Sequence, residues 1–296
     1  MIILVTGACN CTPKQLNIIR GMGHEVLFMQ NESDKLPDGA EYAEGIICNG
    51  LFLYHDIQKF PKLKYVQLTS AGFDRVPMDY IKEHNIEIHN ARGVYSIPMA
   101  EYAVCGVLQL YKQSRFFNEN QSNSLWQKHR GLVELYGKTV CIVGCGNVGT
   151  ECAKRFKAFG CQIIGIDAFP YDNENYAQIK TVESLNDVLP IADVLILTVP
   201  LTDETNHLID DKRIKLLKHD AVLVNISRGA VVDTNALVEN IDNLYGAVLD
   251  VFENEPLESQ NPLWNKKNVI ITPHNSFVGG GNIERLSVLI INNLEN

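Results

Sequence analysis

Three short segments hold the side chains best suited to acid–base work on an anionic substrate. Asn225-Ile226-Ser227-Arg228-Gly229 supplies an arginine, Asp250-Val251-Phe252-Glu253-Asn254-Glu255-Pro256 supplies carboxylates, and Thr272-Pro273-His274-Asn275 supplies a histidine. An arginine grips a carboxylate through paired N–H donors and polarises a neighbouring carbonyl. Histidine, with an unperturbed pKa of about 6.5, gives or takes the proton of a hydroxyl. A carboxylate on its other ring nitrogen would fix the tautomer. These groups suit hydride transfer between a 2-hydroxy acid and a nicotinamide, in which the cofactor carries the redox step and the protein arranges charge. Singly, an arginine after a strand is usually a surface ion pair, and a histidine beside a proline is usually a turn residue. What carries the reading is that each of the three follows an apolar run, so all fall on one sheet edge. The remaining histidines, His207 and His89 among them, have no comparable company in the sequence.

The element that must position them begins at Thr139-Val140-Cys141-Ile142-Val143. Gly144-Cys145-Gly146-Asn147-Val148-Gly149 follows, then an amphipathic helix, then Ile163-Ile164-Gly165-Ile166-Asp167. In such a strand–turn–helix unit the first glycine permits the turn, the second lets the backbone approach a pyrophosphate, and the third allows close helix packing. The helix N-terminus offers N–H groups and a positive dipole end to the phosphates. Asp167, about twenty residues beyond the glycines, is placed to accept from an adenosine ribose. It would repel a 2′-phosphate, and no arginine follows it directly, so NAD is expected over NADP. Further strands are expected at Val194–Val199, Ala221–Ile226, Gly246–Leu249 and Val269–Thr272, with helices starting near Lys212 and Asn235, completing a doubly wound sheet.

Upstream, β-rich runs at Ile2–Thr6, Glu25–Met29, Gly45–Cys48, Tyr65–Thr69 and Ile86–His89 alternate with helical patterns at Pro13–Met22 and Met78–Glu83. This alternation predicts a second parallel sheet. At Thr69-Ser70-Ala71-Gly72-Phe73-Asp74 a strand ends in small residues. Ser70, Ala71 and Gly72 either offer N–H donors to a substrate carboxylate or form a plain turn. From Ser96 a helix apolar on nearly every face is expected to be buried between domains or subunits. A polar segment from Asn118 to Arg130, with Trp126 its one large apolar anchor, reads as a loop or an arm reaching a partner subunit. The last helix, Ile283–Leu294, is expected to pack with the first domain.

Composition narrows the class. With 296 residues the chain fits about two domains, and 26 Lys and Arg against 35 Asp and Glu give a net charge of -9, which argues against a nucleic-acid surface. The Met1-Ile2-Ile3-Leu4-Val5 start reads as a strand and not a leader, and no stretch is long and apolar enough to span a bilayer, so a cytoplasmic protein is expected. Cys9, Cys11, Cys48, Cys105, Cys141, Cys145, Cys152 and Cys161 lack the spacing of a metal site, so no metal is expected and the cysteines are read as reduced and buried. Cys145, inside the glycine turn, is a weak candidate for an oxidation-sensitive thiol.

At these residues the chain resembles the D-isomer-specific 2-hydroxyacid dehydrogenases over nearly its whole length. The segments that carry the resemblance are Gly144 to Gly149 with Asp167, Val199-Pro200-Leu201-Thr202-Asp203-Glu204-Thr205, Asn225 to Asp233, Asp250 to Pro256 and Thr272 to Asn275, in that order. The resemblance implies an α/β protein of two doubly wound parallel-sheet domains, with a Rossmann cofactor domain (99–275) inserted into a flavodoxin-like substrate domain (1–98 plus 276–296), and commonly a homodimer. It implies Arg228 as the clamp on the substrate's carbonyl and carboxylate, His274 as the acid/base and Glu255, preferred to Glu253, as its partner. Ser70, Ala71 and Gly72 become the substrate-carboxylate loop. Gly144, Gly146, Asn147, Val148, Gly149, Asp167, Pro200, Thr205, Ile226 and Asp250 become the NAD-binding set.

The chain lacks a long C-terminal extension of the kind that regulates some phosphoglycerate dehydrogenases, and it stops soon after its last helix, where relatives often continue. Formate dehydrogenases place glutamine where Glu255 stands, which disfavours formate. The alternative reading is an NAD(H)-sensing binding protein, like the transcriptional corepressors that share this fold. Glyoxylate, pyruvate, hydroxypyruvate, branched 2-oxo acids and phosphohydroxypyruvate all remain open as substrates, with the side-chain pocket expected to draw on Asn49 to Phe52 and Tyr95.

Overall fold

Short aliphatic runs separated by helices favour parallel pairing through crossovers, and both sheets of the computed structural model, which describes residues 1–295, are parallel throughout. In chain order come β1 (Ile2–Thr6), α1 (Pro13–Gly21), β2 (Glu25–Met29), β3 (Gly45–Cys48), β4 (Tyr65–Leu68), α2 (Met78–Glu83) and β5 (Glu87–His89). Next are α3 (Ser96–Tyr111), α4 (Ser114–Ser122), β6 (Thr139–Val143), α5 (Asn147–Ala158), β7 (Gln162–Ile166), β8 (Gln178–Lys180), α6 (Leu185–Val188) and β9 (Val194–Leu197). The last are α7 (Asp211–Leu216), β10 (Val222–Asn225), α8 (Thr234–Asn240), β11 (Gly246–Leu249), β12 (Val269–Ile271) and α9 (Asn282–Glu295).

One compact unit comprises Met1–Tyr95 and the chain from Gly279 onward. Its five strands run β2-β1-β3-β4-β5, the flavodoxin order. Alternate residues of β1 serve opposite faces. Ile3 and Val5 pack with Ile19 of α1 and with Leu286 and Ile290 of α9, while Leu4 packs with Ile46, Leu51 and Phe60. α1 starts sharply because Thr12 and Gln15 form a reciprocal capping box ahead of Pro13.

The other unit, Ser96–Val278, carries seven strands in the order β12-β11-β10-β9-β6-β7-β8. The central strands are buried on both faces, which is why they read as continuous apolar runs. Val140, Ile142, Val194 and Val222 meet α3 and α5, whereas Cys141, Leu195, Leu223 and Leu249 form a second core with α7 and α8. The reversal of order at β6 and β9 creates the switch point at which doubly wound sheets bind ligands.

Several expectations change. β8 goes unanticipated, since Gln178-Ile179-Lys180 is too short and polar to stand out. The polar stretch after α3 begins as α4, and Trp126 anchors nothing within this chain, being 98% exposed. α3 is not buried all round: Ala100, Ala103, Val107 and Leu110 enter the core, while Glu101 and Cys105 face outward. Its small residues sit on the face that meets the sheet, so the apolar remainder stays open. The expectation of eight reduced, buried cysteines is corrected: Cys9 and Cys11 are joined as a disulfide, and of the six free thiols Cys105 is exposed. Among the described residues, no helix is long and apolar enough to cross a membrane, and no cluster of His, Cys, Asp or Glu could hold a metal ion.

At the amino ends of the second sheet's strands, Asp193 collects three partners. It accepts from the Thr139 N–H at 2.7 Å and the Lys218 ammonium at 2.9 Å, with Lys138 at 3.8 Å. Burial opposes ionisation, but the Thr139 N–H and the two lysines outweigh it and hold the carboxyl below its usual range. A carboxyl held low in the folded state stabilises the fold above its unfolded pKa of about 3.9 and loses that contribution as pH falls through the folded value. Asp193→Asn should therefore cost about 1–3 kcal/mol at neutral pH, with the difference from the native protein shrinking on acidification. Denaturant melts at pH 7 and pH 3 measure this, and equal stabilities at pH 7 would refute it.

Candidate active site

The turn from Gly144 to Gly149 is shaped by two close approaches. Gly144 has φ 94°, and a side chain there would lie 2.9 Å from the Val199 nitrogen; one on Gly149 would lie 2.1 Å from the Gly144 carbonyl oxygen. Only glycine fits either place, so α5 starts tight against the strand. No side chain caps the first turn of α5, whose N–H groups and positive dipole end remain available to an anion. Gly146 and Asn147 are exposed, Val148 is half-buried, and Gly144 and Gly149 are buried. Asp167 follows β7, its carboxylate accepting from the Cys145 N–H of the turn at 2.7 Å and the Phe169 N–H at 3.0 Å. These features fit a dinucleotide's pyrophosphate and ribose. Cys145 is fully buried and burial pushes its thiol up to about 12, so the oxidation-sensitive reading is withdrawn, because a protonated, inaccessible thiol is a poor nucleophile.

β10, β11 and β12 are neighbours in register, so their carboxyl ends lie side by side. Arg228 follows β10. Its guanidinium donates to the Ser227 carbonyl at 2.8 Å, and Asn225 shapes the bend by accepting from the Ser227 N–H and donating to the Arg228 carbonyl. A side chain on Gly229 would fall 1.8 Å from the Phe252 carbonyl carbon, so glycine lets the arginine loop lie directly on the carboxylate loop. After β11, Glu255 accepts from the Phe252 N–H at 3.1 Å and pairs with His274 Nδ1 at 2.9 Å. With Nδ1 committed, Nε2 is the ring nitrogen left for proton exchange, and the half-exposed imidazole stands edge-on to Phe277.

Asp250 has a different position from that of a cofactor contact alone. It is fully buried and accepts from the Thr272 hydroxyl at 2.5 Å and from the N–H groups of Asn275 at 2.7 Å and Ser276 at 2.8 Å. Tyr102, on α3, bonds the same Thr272 hydroxyl at 2.5 Å. Burial raises the Tyr102 hydroxyl's pKa, which keeps it a donor. This chain of bonds encloses His274. Sequence reasoning missed Tyr102 and Thr272 as its members, because nothing in the spacing ties residues so far apart.

Other expected residues are dispersed. Thr205 closes its own loop, donating to the Pro200 carbonyl at 2.7 Å and accepting from the Thr202 N–H at 2.7 Å. Ile226 is buried in the core, leaving only its backbone for a ligand. Glu253 accepts from the Thr234 N–H at 2.8 Å and pairs with His207 at 3.0 Å. His207 therefore has the carboxylate company that the sequence did not disclose, and so does His89, 2.7 Å from Glu87.

Ser70, Ala71 and Gly72 belong to the other unit, at the carboxyl end of β4. The Thr69 carbonyl accepts from the Tyr95 hydroxyl, the Ser70 carbonyl from the Ala91 N–H at 2.8 Å, and the Ala71 carbonyl from Asn90 Nδ2 at 2.7 Å. The N–H groups of Ser70, Ala71 and Gly72 donate to no acceptor among the described residues.

Comparison with known proteins agrees with this geometry. Residues 104–276 match the family model for the D-isomer specific 2-hydroxyacid dehydrogenase, NAD binding domain. The chain is 36% identical to the D-3-phosphoglycerate dehydrogenase of Methanocaldococcus jannaschii over 74% of its own length and 42% of that protein's, so it spans less than half of that relative. It is 34% identical to the glyoxylate reductase of Pyrococcus horikoshii, covering 79% of this chain and 73% of that one. The fold is similar to that of D-lactate dehydrogenase from Aquifex aeolicus, solved with NAD and lactic acid, at a TM-score of 0.78 and 25% identity over 99% of this chain and 94% of that chain. A glycine turn cut for a dinucleotide, an arginine, a paired histidine and glutamate on the same sheet edge, and a family model over more than half the sequence agree: the chain belongs to the D-isomer specific 2-hydroxyacid dehydrogenases.

Proposed function

We propose that the protein interconverts a 2-oxo acid and its D-2-hydroxy acid with NAD(H), residues 99–275 serving the cofactor and residues 1–98 with 276–296 the substrate. The observation that carries this is the 2.9 Å pair of His274 and Glu255 beside the Arg228 loop. Bound NADH supplies the hydride. His274 Nε2 donates the proton to the carbonyl oxygen during reduction and recovers it during oxidation. Glu255 holds Nδ1, fixing the ring's orientation and tautomer. Arg228 binds the carbonyl and carboxylate oxygens, polarising the carbon that accepts hydride. Ala71 and Gly72 offer N–H groups to the carboxylate.

The cofactor preference follows from Asp167. Its carboxylate is pinned by two backbone N–H groups and cannot swing aside to admit a phosphate. Gly144, Gly146, Asn147, Val148 and Gly149 serve the pyrophosphate, with the Pro200 to Thr205 loop and the Ile226 backbone completing the site and buried Asp250 bracing the loop after β12. The outward side of α3, where Val104, Cys105 and Leu108 line an apolar groove of about 590 Å³ with Phe159, supports a homodimer built on this face.

His274→Asn should lower turnover by about 10²–10⁴-fold while NADH binding, followed by fluorescence, stays intact; near-normal turnover defeats the assignment. The native protein should use NADH with far higher kcat/KM than NADPH, and Asp167→Ala should narrow the gap. Equal efficiencies in the native protein would overturn the role given to Asp167. Light scattering should report twice the chain mass at micromolar concentration, and a monomer there would remove the dimer. A panel of 2-oxo acids separates this reading from a sensor, which would bind NADH without turnover on any of them.

A further inference from the structure

We propose that Asn90 is a positioning residue for substrate binding: by holding the Ala71 carbonyl, it aims the Gly72 N–H at the substrate's carboxylate. This rests on the functional reading above. In a planar trans peptide the carbonyl of one residue and the N–H of the next point in opposite directions. Tying back the Thr69, Ser70 and Ala71 carbonyls therefore turns the N–H groups of Ser70, Ala71 and Gly72 the other way. All three ties come from one segment just past β5: the Tyr95 hydroxyl, the Ala91 N–H at 2.8 Å and the Asn90 amide at 2.7 Å. The Ser70 hydroxyl adds a bond to the Gly72 carbonyl at 3.1 Å. Successive outward N–H groups make an anion-binding concavity.

Asn90 is suited to this because its two amide atoms do different work. Oδ1 accepts from the Arg92 N–H at 3.2 Å, which leaves Nδ2 directed at Ala71. The register of β4 with β5, Gln67 opposite His89, brings the two loops together just beyond the sheet. The side chain reaches the loop from behind and touches no reacting atom.

Asn90 is outside the hydrophobic core, so its substitution leaves the fold intact. Asn90→Ala removes the tie, and Asn90→Asp keeps the acceptor for Arg92 but cannot donate to Ala71. Both variants should raise KM for the 2-oxo acid, and the Kd of oxamate for the NADH-bound enzyme, by about tenfold, the worth of one hydrogen bond. NADH affinity should be unchanged, and kcat should fall by no more than about threefold. A merely structural role would instead lower Tm and weaken NADH binding and turnover together. Native-like KM and oxamate affinity in both variants would overturn the proposal while leaving the dehydrogenase reading in place. Absence of turnover and of oxamate binding in the native protein would overturn both.

Discussion

The buried carboxylate of Asp250 is the interaction on which the histidine's placement depends. His274 has φ 51°, a left-handed backbone that a residue with a side chain adopts at a cost. Such a conformation persists only if its surroundings over-determine it. Here the His274 N–H donates to the Asp250 carbonyl at 2.8 Å and to the Thr272 carbonyl at 3.1 Å, and the Asp250 side chain binds the residues on both sides. A charge with no exposure would be costly without partners, and three donors offset that cost. The result is an imidazole on a rigid mount whose remaining freedom is restrained by Glu255.

The same economy recurs at the two glycines of close approach. Gly149 brings α5 against the turn after β6, and Gly229 lays the arginine loop on the Phe252 backbone. Each removes a side chain where two backbones must touch, so that adjacent strands deliver their functional groups without long loops. A parallel sheet supplies the common edge, and the glycines set how closely its loops sit.

Much of this was legible in the sequence because its signals are local. The runs at Ile2–Thr6, Gly45–Cys48 and Gly246–Leu249 coincide with strands to the residue, since a strand buried on both faces must be largely apolar. The glycine turn and Asp167 are readable because a phosphate-binding turn constrains a contiguous segment. The role of Asp250 as a hub was not readable, because its partners Thr272, Asn275 and Ser276 lie on the next strand's loop. What covers the outer side of α3 was not readable for a related reason: apolar residues on every face say that something covers the helix, not whether this chain or a second subunit does. The Cys9–Cys11 bond was not anticipated, because spacing was weighed only against metal ligation and the cysteines were read as reduced from the expected compartment.

Recognition by backbone N–H groups also separates what is common among substrates from what is particular. Under the proposed function, the N–H groups of Ser70, Ala71 and Gly72 would meet a carboxylate that every 2-oxo acid carries, so on that reading this loop does not choose among them. On the same reading the choice falls to side chains, and the loop after β3, from which the side-chain pocket was expected to draw, is firmly anchored. Glu32 accepts from the Asn49 N–H at 2.6 Å, the Gly50 N–H at 2.7 Å and the Thr6 hydroxyl at 2.7 Å, which stitches that loop to β1 and to the end of β2. Leu51 is then drawn into the core while Leu53 and Tyr54 remain exposed. If the loop lines the substrate pocket, a fixed root with large apolar side chains at its tip would discriminate by shape, because its backbone would not move away to admit a poorly fitting group.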